Sequence, residues 1–223
     1  RKAIEINPKF VDAKINLDFI INKKVPQWHI PMMNDKKRNN AYLKAINSAI
    51  KDNQYVLEIG TGSGLLSMMA IDAGAIKVIT CEASEPIAKA AKRIIANNGY
   101  SDRIKVINKK STELSVDTDL EKKADLIISE IISSDFVGEG VQISLSDANQ
   151  RLISKNGRMI PEGGEIKVAL LESSPEIEKE IFVQRVNGYD LSEFNNIMGK
   201  KLSVHYLGRK TTTSFLSEIK VPF

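Results

Sequence analysis

The stretch Val56-Leu57-Glu58-Ile59-Gly60-Thr61-Gly62-Ser63-Gly64 decides the fold of this chain. Its first four residues suit a buried strand, and the three alternating glycines predict a tight turn that opens a helix. Gly60 and Gly62 tolerate positive φ and carry no Cβ, so a ligand can approach the backbone closely here. Glycine also serves purely structural turns, so the turn alone leaves both readings open.

The spacing of these glycines excludes two nucleotide-binding motifs. The dinucleotide fingerprint requires a third glycine at position 65, where this chain has Leu65, and this counts against NAD. A P-loop requires a Lys-Ser or Lys-Thr pair after the turn, and none follows at that offset.

Outward from the turn, short apolar runs alternate with helical patterns. Strands are predicted at 55–59, 76–81, 104–108 and 124–130, and helices at 64–73, 85–97 and 141–154. Strand and helix in alternation predict an α/β domain with a parallel sheet. Ligands of such sheets bind at the carboxyl ends of the strands, near a topological switch point.

The sequence patterns at the two ends of the chain differ from this alternation of strands and helices. Residues 1–24 carry an apolar pattern around Pro8, which is expected to open a second helix, and they resemble the junction of two tetratricopeptide repeats. A linker with two prolines follows. Beyond Pro161, strands are predicted at 165–172 and 201–207 without crossover helices. We therefore divide the chain into a helical segment (1–24), an α/β domain (25–161) and a truncated β region (162–223).

Composition excludes several classes of protein. The 42% hydrophobic and 27% charged residues are those of a globular protein rather than a disordered chain, and no apolar run approaches the roughly 18 residues of a membrane helix. Cys81 is the single cysteine, so no disulfide framework can form, and a reducing intracellular location is expected, in the cytoplasm or alternatively the nucleus. The excess of 32 basic over 28 acidic residues is small and scattered, and it does not indicate nucleic acid.

An acidic residue follows the second predicted strand. Glu82 lies 18 residues beyond Gly64, where a carboxylate can accept hydrogen bonds from both hydroxyls of a ribose. The turn and this acid together fit the S-adenosylmethionine site of class I methyltransferases. Without the turn, a solvated loop glutamate is the simpler interpretation of Glu82.

Two further acids flank the loop after the fourth predicted strand. Nine residues separate Glu130 from Glu139, so on one helix they would lie on opposite faces, and only a hairpin-like loop can bring them together. Two converging carboxylates repel unless a cation lies between them, and a guanidinium fits them because its donors form a planar fork. The alternative is two exposed loop acids, or one that caps the helix predicted from Val141.

These motifs resemble the protein arginine methyltransferases. The resemblance covers about residues 28–161 and rests on five segments, which are 28–39 with Tyr42, 56–70, 81–82, 108–113 and 129–140. The segment Gly138-Glu139-Gly140 and the suspected repeat are most similar to the tetratricopeptide-bearing nine branch, and the seven branch is next. The resemblance implies a Rossmann-like domain that is followed by the start of a β-barrel, with residues 187–192 in or near a dimerisation arm.

The resemblance also implies roles for individual residues. Glu130 and Glu139 would grip an arginine of a protein substrate as the catalytic pair, with S-adenosylmethionine as the methyl donor. No metal is implied, and the parent protein would be a homodimer or pseudo-dimer. The cofactor would be bound by seven residues, which are His29 and Met32 in a lid, Arg38 on the carboxylate, Gly60 and Gly62 in the floor, Glu82 on the ribose and Glu113 on the adenine.

One departure from the family bears on activity. The family's barrel carries a Thr-His-Trp loop, and this chain has no such triplet, since its histidines are His29 and His205 and its tryptophan is Trp28. Adenine and cytosine methyltransferases need adjacent prolines or a Pro-Cys pair, which this sequence lacks. The competing hypothesis is therefore a catalytically silent scaffold that binds the cofactor and recruits partners through an upstream repeat.

Overall fold

The computed structural model describes residues 2–51, 53–132, 138–164 and 183–197. They belong to two compact units: the first holds the described residues up to 163, and the second holds residue 164 and residues 183–197. Among these residues, no helix has both the length and the apolar character needed to cross a membrane.

A five-stranded parallel sheet forms the centre of the first unit. Its strands are β1 (Tyr55–Ile59), β2 (Lys77–Cys81), β3 (Ile104–Ile107), β4 (Ala124–Ser129) and β5 (Ile153–Ile160). They lie in the order β3-β2-β1-β4-β5, and every neighbouring pair is parallel. The path across the sheet reverses between β1 and β4, so the carboxyl ends of these two strands form the switch point at which such sheets bind ligands.

Helices precede the sheet and cover its two faces. They are α1 (Lys2–Ile6), α2 (Val11–Lys24), α3 (His29–Met33), α4 (Lys36–Ala49), α5 (Leu65–Asp72), α6 (Glu85–Asn97) and α7 (Val141–Arg151), with short 3₁₀ helices at Ser111–Glu113 and Gly138–Gly140. The Asp35 side chain caps α4 by accepting a hydrogen bond from the Arg38 backbone N–H. A proline in the first turn helps to start α6, which is strongly amphipathic.

Two apolar clusters lie on opposite faces of the sheet. Successive strand residues point to opposite faces, so Val56 joins one cluster and Leu57 joins the other. α4, α5 and α6 contribute Ile46, Ala70 and Ala91 to the first cluster. α7 and the segment after β3 contribute Ala148 and Leu120 to the second.

The structure confirms most of the predicted elements and corrects three of them. The helix predicted at 141–154 ends at Arg151, and the chain enters β5 at Ile153, a strand that the sequence analysis did not identify. β5 could not be recognised from the sequence because only Ile153 and Ile160 are buried, while most residues between them are polar and exposed or half-buried. The region after residue 24, read as a linker, contains α3 and α4, and α2 begins at Val11 rather than at Pro8.

The described part of the second unit contains a small hairpin. Strands β6 (Arg185–Val186) and β7 (Tyr189–Asp190) are antiparallel, and α8 (Phe194–Ile197) follows them. The turn residues Asn187 and Gly188 have φ of 52° and 88°, as a two-residue turn with positive φ requires. The strands predicted at 165–172 and 201–207 lie outside the described residues, and the β-barrel stays a prediction.

Candidate active site

A cavity of about 650 Å³ lies at the carboxyl ends of the central strands. Its wall includes α3, Arg38 of α4, the glycine turn, the residues that follow β2, β3 and β4, and the start of α7. The lining includes Pro26, Trp28, His29, Met32, Arg38, Glu58, Gly60, Thr61, Gly62, Cys81, Glu82, Lys110, Ser111, Thr112, Glu130, Ile131, Gly140, Ile143 and Ser144. The cavity therefore occupies the switch point that the strand order predicts.

The glycine turn has the backbone that its sequence predicts. Gly60, Gly62 and Gly64 have φ of +84°, +52° and +83°, a region that glycine adopts without strain. The N–H groups of Gly60 and Thr61 both donate to the Cys81 carbonyl at 3.0 Å, which ties the turn to the end of β2. A Cβ at Gly60 would lie 2.6 Å from Ile131 Cγ2, whereas one at Gly62 would meet no described atom within 4 Å. Gly62 is thus the open point of the turn.

Glu82 faces this turn from the end of β2. One carboxylate oxygen accepts a hydrogen bond from the Gly62 N–H at 3.2 Å, and the other accepts one from the Ser84 N–H at 2.8 Å. A carboxylate offers about four acceptor sites, so two hydrogen bonds leave capacity for ligand hydroxyls. The structure therefore places Glu82 in the cavity wall at the turn, and its contact with a ribose stays a prediction.

Glu58 is a cavity residue for which the sequence analysis assigned no role. It lies in β1 with 1% of its surface exposed. Its carboxylate accepts hydrogen bonds from Ser67 and from Thr80, the latter at 3.0 Å, and Thr80 contacts the Thr61 hydroxyl at 2.7 Å. Burial raises the pKa of Glu58 to about 7, although the two hydrogen bonds act in the opposite direction. The sequence signal that could have identified Glu58 is an acidic residue inside an otherwise apolar strand.

Arg38 and Glu130 form an ion pair in the cavity wall. Arg38 Nη2 lies 2.6 Å from Glu130 Oε2, and each side chain is 18% exposed. Arg38 Nη1 donates to Asn39 Oδ1 at 2.9 Å, but Arg38 Nε is buried without a partner among the described residues. The sequence analysis gave these two residues separate ligands and did not foresee their pairing.

Tyr42 supports this ion pair from α4. Its ring centroid lies 5.4 Å from Arg38 Cζ, and its hydroxyl donates to the Ser129 carbonyl at 3.0 Å. Ser129 is the last residue of β4, so Tyr42 fixes the strand end from which Glu130 projects. Burial, followed by the nearby Glu130 charge, raises the pKa of Tyr42 to about 12, and its hydroxyl remains a donor at neutral pH.

The predicted lid corresponds to α3. His29 stacks on Trp28 with ring centroids 4.0 Å apart, and its Nδ1 donates to the Pro26 carbonyl at 3.0 Å. Met32 is half-buried, and it lines the cavity together with His29. Both side chains therefore lie at the cavity, and their role as a lid over the cofactor stays a prediction.

Glu113 is a predicted site residue that the described cavity wall does not include. Glu113 is exposed and its carboxylate accepts a hydrogen bond from the Lys110 N–H at 3.3 Å, whereas Lys110, Ser111 and Thr112 line the cavity. Glu139 belongs to the 3₁₀ helix Gly138–Gly140, but its side chain lies outside what the structure describes. Gly140, Ile143 and Ser144 do line the cavity, so this segment reaches its edge. The convergence of Glu130 and Glu139 stays a prediction.

Comparison with protein families and curated proteins identifies methyltransferases. The family model described as ribosomal protein L11 methyltransferase (PrmA) matches residues 39–164. An arginine N(omega)-methyltransferase of Streptomyces achromogenes subsp. streptozoticus is 39% identical over 178 residues, which are 80% of this chain and 49% of that protein. Protein arginine N-methyltransferase 7 of Aedes aegypti is 41% identical over 149 residues, or 63% of this chain and 22% of that protein. The chain thus spans half or less of the length of these relatives.

Solved structures of similar fold carry related names. The Trypanosoma brucei PRMT1 enzyme-prozyme heterotetrameric complex with AdoHcy is 31% identical, with a TM-score of 0.69 over 77% of this chain and 53% of that one. Arabidopsis thaliana protein arginine methyltransferase 10 is 24% identical, with a TM-score of 0.62 over 78% of this chain and 54% of that one. The second likeness concerns the fold alone.

Proposed function

We propose that this chain, which belongs to the methyltransferase family that the PrmA model describes, is a protein arginine methyltransferase that transfers a methyl group from S-adenosylmethionine to an arginine guanidinium of a protein substrate; its similarity to relatives that are named arginine methyltransferases supports the proposal. A single observation carries the proposal: the glutamate at the end of β4 already holds a guanidinium. Glu130 binds Arg38 at 2.6 Å in the wall of a cavity that the glycine turn also lines.

The residues of this cavity fit the proposed cofactor. Arg38 Nε is a buried donor without a partner among the described residues, and a carboxylate is the group that such a guanidinium binds most strongly. The open Cα of Gly62 admits a ligand close to the backbone, and Glu82 beside it accepts hydrogen bonds. Arg38, Gly62 and Glu82 would thus hold the carboxylate, the nucleoside side and the ribose of S-adenosylmethionine.

The chemistry requires a weak nucleophile to be oriented. S-adenosylmethionine supplies an electrophilic methyl group on a sulfonium. A guanidinium spreads its charge over three nitrogens, so a carboxylate that binds two of them concentrates positive charge there and orients the third. Glu130 provides one such carboxylate, and Glu139 would provide a second. In the transfer a nitrogen–carbon bond would form as the sulfur–carbon bond breaks, neutral S-adenosylhomocysteine would leave, and the methylated nitrogen would release one proton to solvent, so that atoms and charge balance.

In the proposed enzyme Arg38 would have two partners, Glu130 and the cofactor's carboxylate. The guanidinium of Arg38 has five donors, of which Nη2 contacts Glu130 and Nη1 contacts Asn39. One arginine can therefore bind the cofactor's carboxylate while it keeps hold of Glu130. Arg38 would bind the cofactor's carboxylate, and Glu130, which Arg38 contacts, would bind the guanidinium of the substrate. The Arg38–Glu130 pair would thus connect the two binding sites.

The branch and the partners are further parts of the proposal. The suspected tetratricopeptide repeat favours the nine branch, whereas relatives named protein arginine N-methyltransferase 7 support the seven branch. A homodimer or pseudo-dimer is proposed for the protein that contains this chain. An intracellular location, in the cytoplasm or alternatively the nucleus, is proposed because Cys81 is the single cysteine.

Two measurements test the proposal and its competitor, the silent scaffold. Titration calorimetry with S-adenosylhomocysteine tests the cofactor site, and transfer of a labelled methyl group tests the reaction. The acceptors are an arginine-rich protein and free arginine, because one relative is named for arginine itself. We expect binding together with transfer to the protein, and loss of transfer in Glu130→Gln but not in the exposed control Glu5→Gln. Binding without transfer, both in this chain and in the protein that contains it, would favour the scaffold.

A further inference from the structure

Asn39 joins two parts of the cavity wall through one side-chain amide. Its Nδ2 donates to the Met33 carbonyl at 2.8 Å, and its Oδ1 accepts from Arg38 Nη1 at 2.9 Å. Met33 is the last residue of α3, the helix that carries His29 and Met32. The amide therefore links the lid to the guanidinium that holds Glu130.

The two hydrogen bonds of Asn39 fix each other. An amide that donates from Nδ2 to one group presents Oδ1 in a defined direction to the other. Arg38 is a long side chain, and fixing it in one rotamer costs up to about 2 kcal/mol in conformational entropy. With Nη2 on Glu130 and Nη1 on Asn39, the plane of its guanidinium is set by two partners rather than one.

We propose that Asn39 is a positioning residue that orients the Arg38 guanidinium for the cofactor's carboxylate and ties this orientation to the lid. The proposal rests on the proposed function, because it assumes that the cavity binds S-adenosylmethionine or its product. Asn39 itself need not touch either ligand. It acts by keeping Arg38 Nε and the remaining donor hydrogens of this guanidinium directed towards the position of the cofactor's carboxylate.

A purely structural role has to be separated from this one. The carbonyl groups in the last turn of a helix lack intrahelical partners, and Asn39 satisfies that of Met33 in α3. If capping were its whole contribution, Asn39→Ala would lower stability and weaken all ligands of the cavity alike. A positioning role predicts a loss that is confined to ligands with a carboxylate.

The test compares two nucleoside ligands by titration calorimetry. S-adenosylhomocysteine carries the amino acid carboxylate, and 5′-methylthioadenosine has the same adenosine without it. We expect Asn39→Ala to weaken S-adenosylhomocysteine about tenfold, since a hydrogen bond to a charged group is lost, and to change 5′-methylthioadenosine less than twofold. The matched control is Asn40→Ala, because Asn40 is the next residue of α4 and is exposed.

A second background shows whether Asn39 acts through Arg38. In Arg38→Lys the ammonium lacks the planar fork, so adding Asn39→Ala should cost less than a further twofold in S-adenosylhomocysteine affinity. Equal weakening of both ligands, an undiminished effect in Arg38→Lys, or no effect at all would overturn the inference. If the parent chain bound neither ligand, the proposed function itself would fail, and this outcome differs from all of the others.

Discussion

Replacement of Glu58 by Gln should make the stability of the chain less dependent on pH. Burial raises the pKa of the Glu58 carboxyl from its ordinary value of 4.5 to about 7. Between these two values the folded chain keeps a proton that the unfolded chain has released. The stabilising contribution of the protonated carboxyl is therefore complete below about pH 4.5 and is lost as the pH rises through about 7.

The size of the loss follows from the two pKa values. The interval from 4.5 to about 7 corresponds to about 3 kcal/mol in the free energy of unfolding, at roughly 1.36 kcal/mol for each pH unit. Glu58 is 1% exposed, so solvent does not screen this term appreciably. Gln has nearly the same volume and stays neutral. Its Oε1 can take the place of the Glu58 oxygen that accepts the hydrogen bonds of Ser67 and Thr80.

Urea unfolding at pH 5, 6, 7 and 8 measures this effect. We expect the free energy of unfolding of Glu58→Gln to exceed that of the parent by a margin that is smallest at pH 5. The margin should grow by about 2 to 3 kcal/mol between pH 5 and pH 8. Glu5→Gln, at an exposed position of α1, is the control and should show a constant difference. A margin that stays constant for Glu58→Gln as well would refute the reasoning, because Glu58 would then titrate alike in both states.

The remaining predictions concern the cavity wall. Glu130→Gln and Glu139→Gln should each lower kcat by roughly 10²–10⁴, about 3–5 kcal/mol, because each removes a negative charge; cofactor affinity should change little, because a glutamine at position 130 still offers Arg38 Nη2 an acceptor oxygen, and an equal collapse of affinity in both variants would contradict their roles. Glu82→Ala should weaken S-adenosylhomocysteine roughly 10- to 100-fold in titration calorimetry, because hydrogen bonds to a carboxylate are lost, and an unchanged affinity would remove Glu82 from the site. Gly60→Ala should lower the free energy of unfolding by about 1–3 kcal/mol more than Gly99→Ala, since both have φ above +80° but only the first Cβ would collide with Ile131. Urea unfolding compares the two variants, and equal losses in the free energy of unfolding would show that the Ile131 side chain moves aside.

Strong periodicity made much of the sheet predictable from the sequence. β1 and α6 have the bounds that were predicted, since one is an apolar run and the other an amphipathic helix. β5 was missed because its middle is polar, with Lys155 and Asn156 exposed on the edge strand. α4 was missed because few of its fourteen residues, Ile46 and Ala49, are buried. Local pattern fails where tertiary packing, rather than periodicity, stabilises the element.

Local sequence pattern predicted the site where its residues lie at strand ends, whereas His29, Met32 and Arg38, which also line the cavity, were expected only from the family resemblance. Gly60, Gly62 and Glu82 reach the cavity because they directly follow β1 and β2. The ion pair of Arg38 with Glu130 joins residues that are 92 positions apart, and no local pattern predicts such a contact. Glu58 was overlooked because an acid in a buried strand reads as part of the core until its hydrogen-bond partners are known.

The part of the chain before residue 39 distinguishes this site from the general fold. The PrmA model matches residues 39–164, which include the glycine turn, Glu82 and Glu130. The lid and Arg38 precede the matched region, and they supply the guanidinium beside Glu130 and the buried donor that fits a carboxylate. The matched region by itself lacks the guanidinium that pairs with Glu130 at the end of β4. In the proposed enzyme, the link between the cofactor's carboxylate and the acid that would bind the substrate depends on the first turn of α4, because Arg38 lies there and contacts Glu130 at 2.6 Å.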